Sequence, residues 1–107
     1  MFEQTIVQQL KVDVGDELSK SLMNVFINES TKIVEQLLAL PIDDQQVILL
    51  SHSLKSSAKT YGALILGNLC EQIEMSAKAG NRDALAQAMA TLPDIANKTF
   101  SQAIQFT

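Results

Sequence analysis

Residues 43–62 read DDQQVILLSHSLKSSAKTYG, and this stretch decides the fold. Advance 100° per residue with His52 at zero. Val47, Leu50, Leu54 and Tyr61 then fall at about 220°, 160°, 200° and 180°. Ala58 lies at the edge of that apolar face. The pattern predicts an amphipathic helix from about Asp43 to Tyr61, with His52 pointing almost directly away from the core. Asp43 or Asp44 offers an N-cap oxygen, and Gly62 marks the stop. Strand signals are weak: there are five aromatic residues and no sustained alternation of period two.

Upstream, Pro41 disfavours helix at the residue before it and ends a long helix predicted from Asp16 to Leu40. With Phe26 at zero, Leu22, Ile33, Leu37 and Leu40 fall within about 40° of it. Met23, Ile27, Val34 and Leu38 form a second apolar stripe about 60–120° round. The combined stripe is wider than one core face needs. It fits a helix packed between two neighbours, or one with an edge left open for a partner. A short helix over residues 3–10 precedes it.

Downstream, a helix is predicted from about Ala63 to Ala79, with Gly80 as its C-terminal stop. Its inward stripe is Leu66, Leu69, Cys70, Ile73 and Ala77. The last helix starts near Asn81, an N-cap residue, and buries Leu85, Met89 and Leu92. Pro93 removes a backbone donor and should kink it, while Ala96, Phe100 and Ile104 continue the stripe. Short connections make sequential helices antiparallel neighbours. The expected fold is all-α: an up-and-down antiparallel four-helix bundle with a short N-terminal helix, one domain over residues 1–107.

A chain of 107 residues buries one modest core, too little for a self-contained nucleotide-dependent enzyme. Eight Lys+Arg against twelve Asp+Glu leave a net charge of −4. The pI near 4.7 argues against a nucleic-acid partner. Cys70 is the single cysteine and His52 the single histidine. No disulfide, cysteine zinc site or two-imidazole metal site is therefore expected within the chain. No apolar run approaches the roughly 18–20 residues of a membrane span, and the first residues lack the layout of a signal peptide. The expectation is a cytoplasmic monomer with no membrane partner.

Within about 60° of His52 on the helix lie Gln45, Ile48, Leu49, Lys55, Ser56 and Lys59. Ser56 is small, which leaves the imidazole edge open. Lys55 and Lys59 place two cations beside it in an acidic protein, a field suited to an incoming phosphoryl group. Ile48 and Leu49 leave apolar area one turn before it, the mark of a partner surface. The same residues also describe an ordinary solvated helix face, with Ile48 and Leu49 covered by the first helix or its connection. Periodicity alone stops at a helical bundle with an exposed histidine.

The run His52-Ser53-Leu54-Lys55-Ser56-Ser57-Ala58-Lys59-Thr60-Tyr61-Gly62-Ala63 closely resembles the signature of histidine-containing phosphotransfer (HPt) domains. That signature runs H-x-L-K-G-[SA]-[SA]-x-x-[aromatic or aliphatic]-G-[AL]. Leu66, Leu69-Cys70 and Ile73-Glu74 are similar to the family's L-x-x-x-C-x-x-[LI]-E run. Phe26-Ile27-Asn28-Glu29 resembles its F-[LI]-x-E. The departure is Ser56, where many members carry glycine to make room for the partner's active site; serine keeps most of that room.

The resemblance implies a phosphorelay intermediary of two-component signalling. His52 would take a phosphoryl group from a receiver-domain aspartate and pass it to another receiver aspartate. Lys55 would compensate phosphoryl charge. Ser56 and Lys59 would give access and support, and Gly62 would let one helix end and the next begin. The implied partners are receiver domains of response regulators and of a hybrid sensor kinase. The receiver would supply Mg²⁺, so no cofactor of the chain's own is expected. The sequence shows no glycine-rich phosphate loop or kinase motif, which implies a phosphocarrier and not an enzyme. Gln45, Ile48 and Leu49 are expected to form one partly exposed docking surface with the Met23–Ile27 edge of the preceding helix. The alternative is an unphosphorylated helical adaptor or antiactivator that binds a receiver or kinase. An enzyme using His52 as general base has little support, because its own helix offers no carboxylate within a turn, though another helix could provide one.

Overall fold

A computed structural model describes residues 2–39 and 43–107. Among the described residues five helices follow one another: α1 Gln4–Val14, α2 Asp16–Leu38, α3 Asp44–Thr60, α4 Leu64–Ala79 and α5 Arg82–Ala103. A single 3-10 turn, Ile104–Phe106, ends the chain's helical part. α3 packs on α4, α4 on α5, and α2 on both α3 and α5, which closes a four-helix bundle; α1 lies against α2. The bundle measures 42 × 21 × 21 Å. No helix among the described residues is long and apolar enough to cross a membrane.

Local chemistry sets the boundaries. Asp43 is the N-cap of α3, its Oδ1 accepting from Gln46 N at 2.8 Å. Asn81 does the same for α5, accepting from Ala84 N at 3.1 Å. Between α3 and α4 the chain turns through Gly62 at φ +89°, a conformation most side chains avoid. A Cβ there would stand 3.2 Å from the Glu3 carbonyl and 3.3 Å from Ile6 Cβ. The Gly62 carbonyl in turn accepts from Glu3 N at 2.7 Å, pinning the N-terminal segment to this corner.

All five aromatic residues gather in one cluster. Phe26 packs on Tyr61 with ring centroids 5.1 Å apart and on Phe100 at 6.2 Å. Phe2 bridges Phe26 and Phe106. Elsewhere the core is mainly aliphatic, with Leu37, Leu54, Leu66, Ile73 and Leu92 fully buried.

Several expectations shift on the structure. The N-terminal helix runs four residues further than its apolar pattern suggested, to Val14. Residues 40–42, including Leu40 and Pro41, lie outside the described residues; α2 is helical to Leu38. On α5 the buried line is Ala88, Leu92, Ala96, Thr99 and Ala103, while Leu85, Met89 and Phe100 are half-buried. Small residues face inward there, and the larger ones lie along the flanks. As expected, α5 runs on through Pro93, which faces solvent. Ile104 is exposed and not part of the stripe. The change from α-helix to 3-10 turn after Ala103 alters the angular step, and Phe106 takes the inward place.

Candidate functional site

The buried side of α3 consists of Val47, Ser51, Leu54 and Ala58. These positions centre about 130° from His52, rotated toward Lys55 relative to the apolar residues alone. Ser51 makes the rotation possible: its hydroxyl donates to the Val47 carbonyl at 2.6 Å, so it is buried without an orphan polar atom. Ala58 and Gly67 then form a small-residue seam between α3 and α4. A Cβ on Gly67 would lie 3.6 Å from Ala58 Cβ and 2.8 Å from Lys59 Cγ. The close approach of these helices brings His52 and Lys55 within reach of α4.

What they reach is Glu74. It is only 5% exposed and lies beside the inward stripe of Cys70, Ile73 and Ala77. Lys55 Nζ donates to Oε1 at 2.7 Å, Lys78 Nζ to Oε2 at 2.9 Å, and His52 Nδ1 lies 3.0 Å from the same Oε2. A buried carboxylate needs such partners to stay charged. The bonds from Lys55 and Lys78 outweigh the effect of burial, and with the smaller contribution of His52 they hold the Glu74 carboxyl down at about 2. Glu74 is thus ionised at neutral pH and can only accept. Nδ1 of His52 is therefore the donor, which leaves the lone pair on Nε2. The His52 side chain is 60% exposed, and α3 turns it away from the core.

The remaining predicted residues divide. Ser56 is exposed one turn after His52. Lys59 does not face the imidazole; its ammonium pairs with Glu71 Oε2 at 3.1 Å. Gly62 belongs to the α3–α4 corner, ten residues or roughly 15 Å of helix rise from His52. Gln45, half-buried Ile48 and Leu49 line a shallow hollow one to two turns before the histidine, and Leu49 is 70% exposed.

Met23 corrects an expectation: it is 1% exposed and belongs to the core, and Ile27 packs half-buried against the same core. The physical reason is axial register. Neighbouring Phe26 contacts Tyr61, nine residues and roughly 13 Å of rise beyond His52. This part of α2 lies at the aromatic end of the bundle; Met23 is withdrawn into the core there, while Ile27 keeps part of its surface exposed. Apolar exposure on α2 falls instead on Leu18, Val25 and Leu38.

Glu74 is the residue whose place at the site the periodicity did not give. Its signal was a charge one residue from Ile73 and four from Cys70, on a stripe where a lone carboxylate is not tolerated without cationic partners. Cys70 itself is inert: burial pushes its thiol up to about 12.

No curated protein and no solved structure matches the chain at a significant level. A family model described as Hpt domain matches residues 21–102, which includes all of α3 and α4 and most of α2 and α5. An exposed histidine on a four-helix bundle, held from behind by a buried carboxylate, accompanies that match, and the chain belongs to the Hpt domain family, whose members serve phosphotransfer in two-component signalling.

Proposed function

We propose that the protein is a phosphorelay intermediary that accepts a phosphoryl group from a receiver-domain aspartate on His52 Nε2 and passes it to a second receiver aspartate. The observation that carries this reading is the bond from His52 Nδ1 to buried, ionised Glu74. It fixes the tautomer and turns the nucleophilic nitrogen outward.

In the forward step the Nε2–P bond forms as the P–O bond to the receiver's aspartate breaks, and the carboxylate leaves. The Nδ1 proton stays in its bond to Glu74, whose negative charge offsets the positive charge developing on the ring. Phosphoryl transfer needs mainly in-line positioning and charge compensation. Mg²⁺ belongs to the receiver in this scheme. Lys55 contributes charge through Glu74 and toward the incoming oxygens. The lysine charge of the cluster exceeds that of its one carboxylate, whereas Lys59 is compensated by Glu71. The hollow at Gln45, Ile48 and Leu49 is the proposed docking surface, small as suits a transient encounter.

Incubation with a phosphorylated receiver tests the reading. Label that is lost in acid, kept in alkali and mapped to His52 supports it. Receiver binding without label supports the adaptor reading instead. Ser56→Gln refines the test. It is expected to slow transfer from the receiver about tenfold by obstructing in-line approach, while labelling by the small donor phosphoramidate stays near that of the unaltered protein. Equal slowing with both donors would place the effect on His52 itself and not on access.

A further inference from the structure

Glu74 Oε2 accepts from two groups at once, Lys78 Nζ at 2.9 Å and His52 Nδ1 at 3.0 Å. Two donors on one oxygen lie no more than about 6 Å apart, close enough for their charges to interact. A carboxylate alone beside an imidazole favours the imidazolium, which has no lone pair with which to attack phosphorus. A lysine ammonium on the same oxygen opposes that protonation. We propose that Lys78 is a positioning residue that lets Glu74 orient His52 without turning it into a cation. The proposal rests on the reading of His52 as phosphoryl acceptor and extends it to a residue outside the signature run.

The surroundings leave this task to Lys78 and Lys55. On α3 and α4, Lys59 and Glu71 compensate each other further along the seam. Toward α5, Arg82 holds Asp44 with two bonds of 2.8 and 2.6 Å. On α2, Glu29 and Lys32 pair at 3.8 Å, and Glu35 makes no ion pair among the described residues. Lys55 is half-buried and bonds the other carboxylate oxygen, Oε1, at 2.7 Å. Lys78 is 57% exposed and one turn beyond Glu74 on α4, so its side chain can be replaced without disturbing the core.

The test uses the full chain with phosphoramidate as donor, so that no receiver surface enters the result. Its P–N bond breaks as the Nε2–P bond forms, and ammonia leaves. For Lys78→Met the acid limb of the rate profile is expected to move to higher pH. Labelling near pH 6 should be about threefold slower, after discounting for the exposure of the lysine, and the gap should close above pH 8. Lys78→Arg keeps the charge and should keep the unaltered profile. Nuclear magnetic resonance of the imidazole should show a larger imidazolium fraction at pH 6.5 in the Met variant. Coincident profiles, or slowing by one factor at every pH, would overturn the proposal and leave Lys78 a merely structural group. If the unaltered protein takes no label at any pH, the phosphocarrier reading fails. The imidazolium fractions then decide the lysine's role alone: a larger one in the Met variant supports it, and equal ones refute it.

Discussion

Replacing His52 with Gln is expected to abolish phosphoryl acceptance and to leave the bundle folded. The amide nitrogen of glutamine has its lone pair delocalised into the carbonyl, so no nucleophile remains at the site. The structural cost is small because the side chain is mostly exposed and makes one hydrogen bond among the described residues, to Glu74. Glu74 keeps Lys55 and Lys78 when that bond is lost, so no buried charge is stranded. A change within about 0.5 kcal/mol follows for a surface substitution of this kind. Label transfer from a phosphorylated receiver measures the first expectation and thermal unfolding the second. Acid-labile label on the variant would remove His52 from its assigned role. Loss of label together with a much lower melting temperature would mean that the histidine also holds the fold.

The bundle was legible because its helices are amphipathic and their ends are chemically marked. Asp43 and Asn81 cap, Gly62 and Gly80 stop, and the stripe Leu66, Leu69, Cys70, Ile73 and Ala77 is buried as its spacing requires. His52 was legible for the same reason, since an outward direction follows from the wheel. Register along the bundle axis was not. A wheel gives the angle of Met23 but not its height, and Met23 is buried in the core about one turn from Phe26 of the aromatic cluster. Ser51 and Ala58 turned the buried face of α3 away from the line its largest apolar residues define. Glu74 lay beyond the reach of periodicity because its role depends on a neighbour 22 residues earlier in the chain. Only the likeness of the Ile73-Glu74 run to the family's pattern pointed toward it.

Glu74→Gln is expected to damage activity and stability together, which separates it from His52→Gln. Glutamine keeps the size of the side chain but removes the charge, and it donates as readily as it accepts. His52 then loses its fixed tautomer and the anion that offsets positive charge on the ring during transfer. Acceptance from phosphoramidate should fall at least about tenfold, less than the roughly hundredfold of a group that itself moves a proton in the reaction, because Glu74 acts through His52. The fold loses a buried carboxylate that binds Lys55, Lys78 and His52. That carboxyl lies well below its ordinary 4.5, at about 2, chiefly through the bond from Lys55 and then that from Lys78. A depressed acid stabilises the folded state above its unfolded value, and the contribution disappears as pH falls toward the folded one. The unaltered protein should therefore be more stable than Glu74→Gln near pH 6 by on the order of 2 kcal/mol, discounted for the exposed lysine and histidine. The difference should shrink between about pH 4.5 and pH 2. Urea unfolding at pH 6, 4 and 2.5 measures it. A gap that persists unchanged at the lowest pH would mean that shape, and not charge, is what Glu74 contributes. In that case the ionised carboxylate behind His52 would no longer explain which nitrogen faces the phosphoryl group.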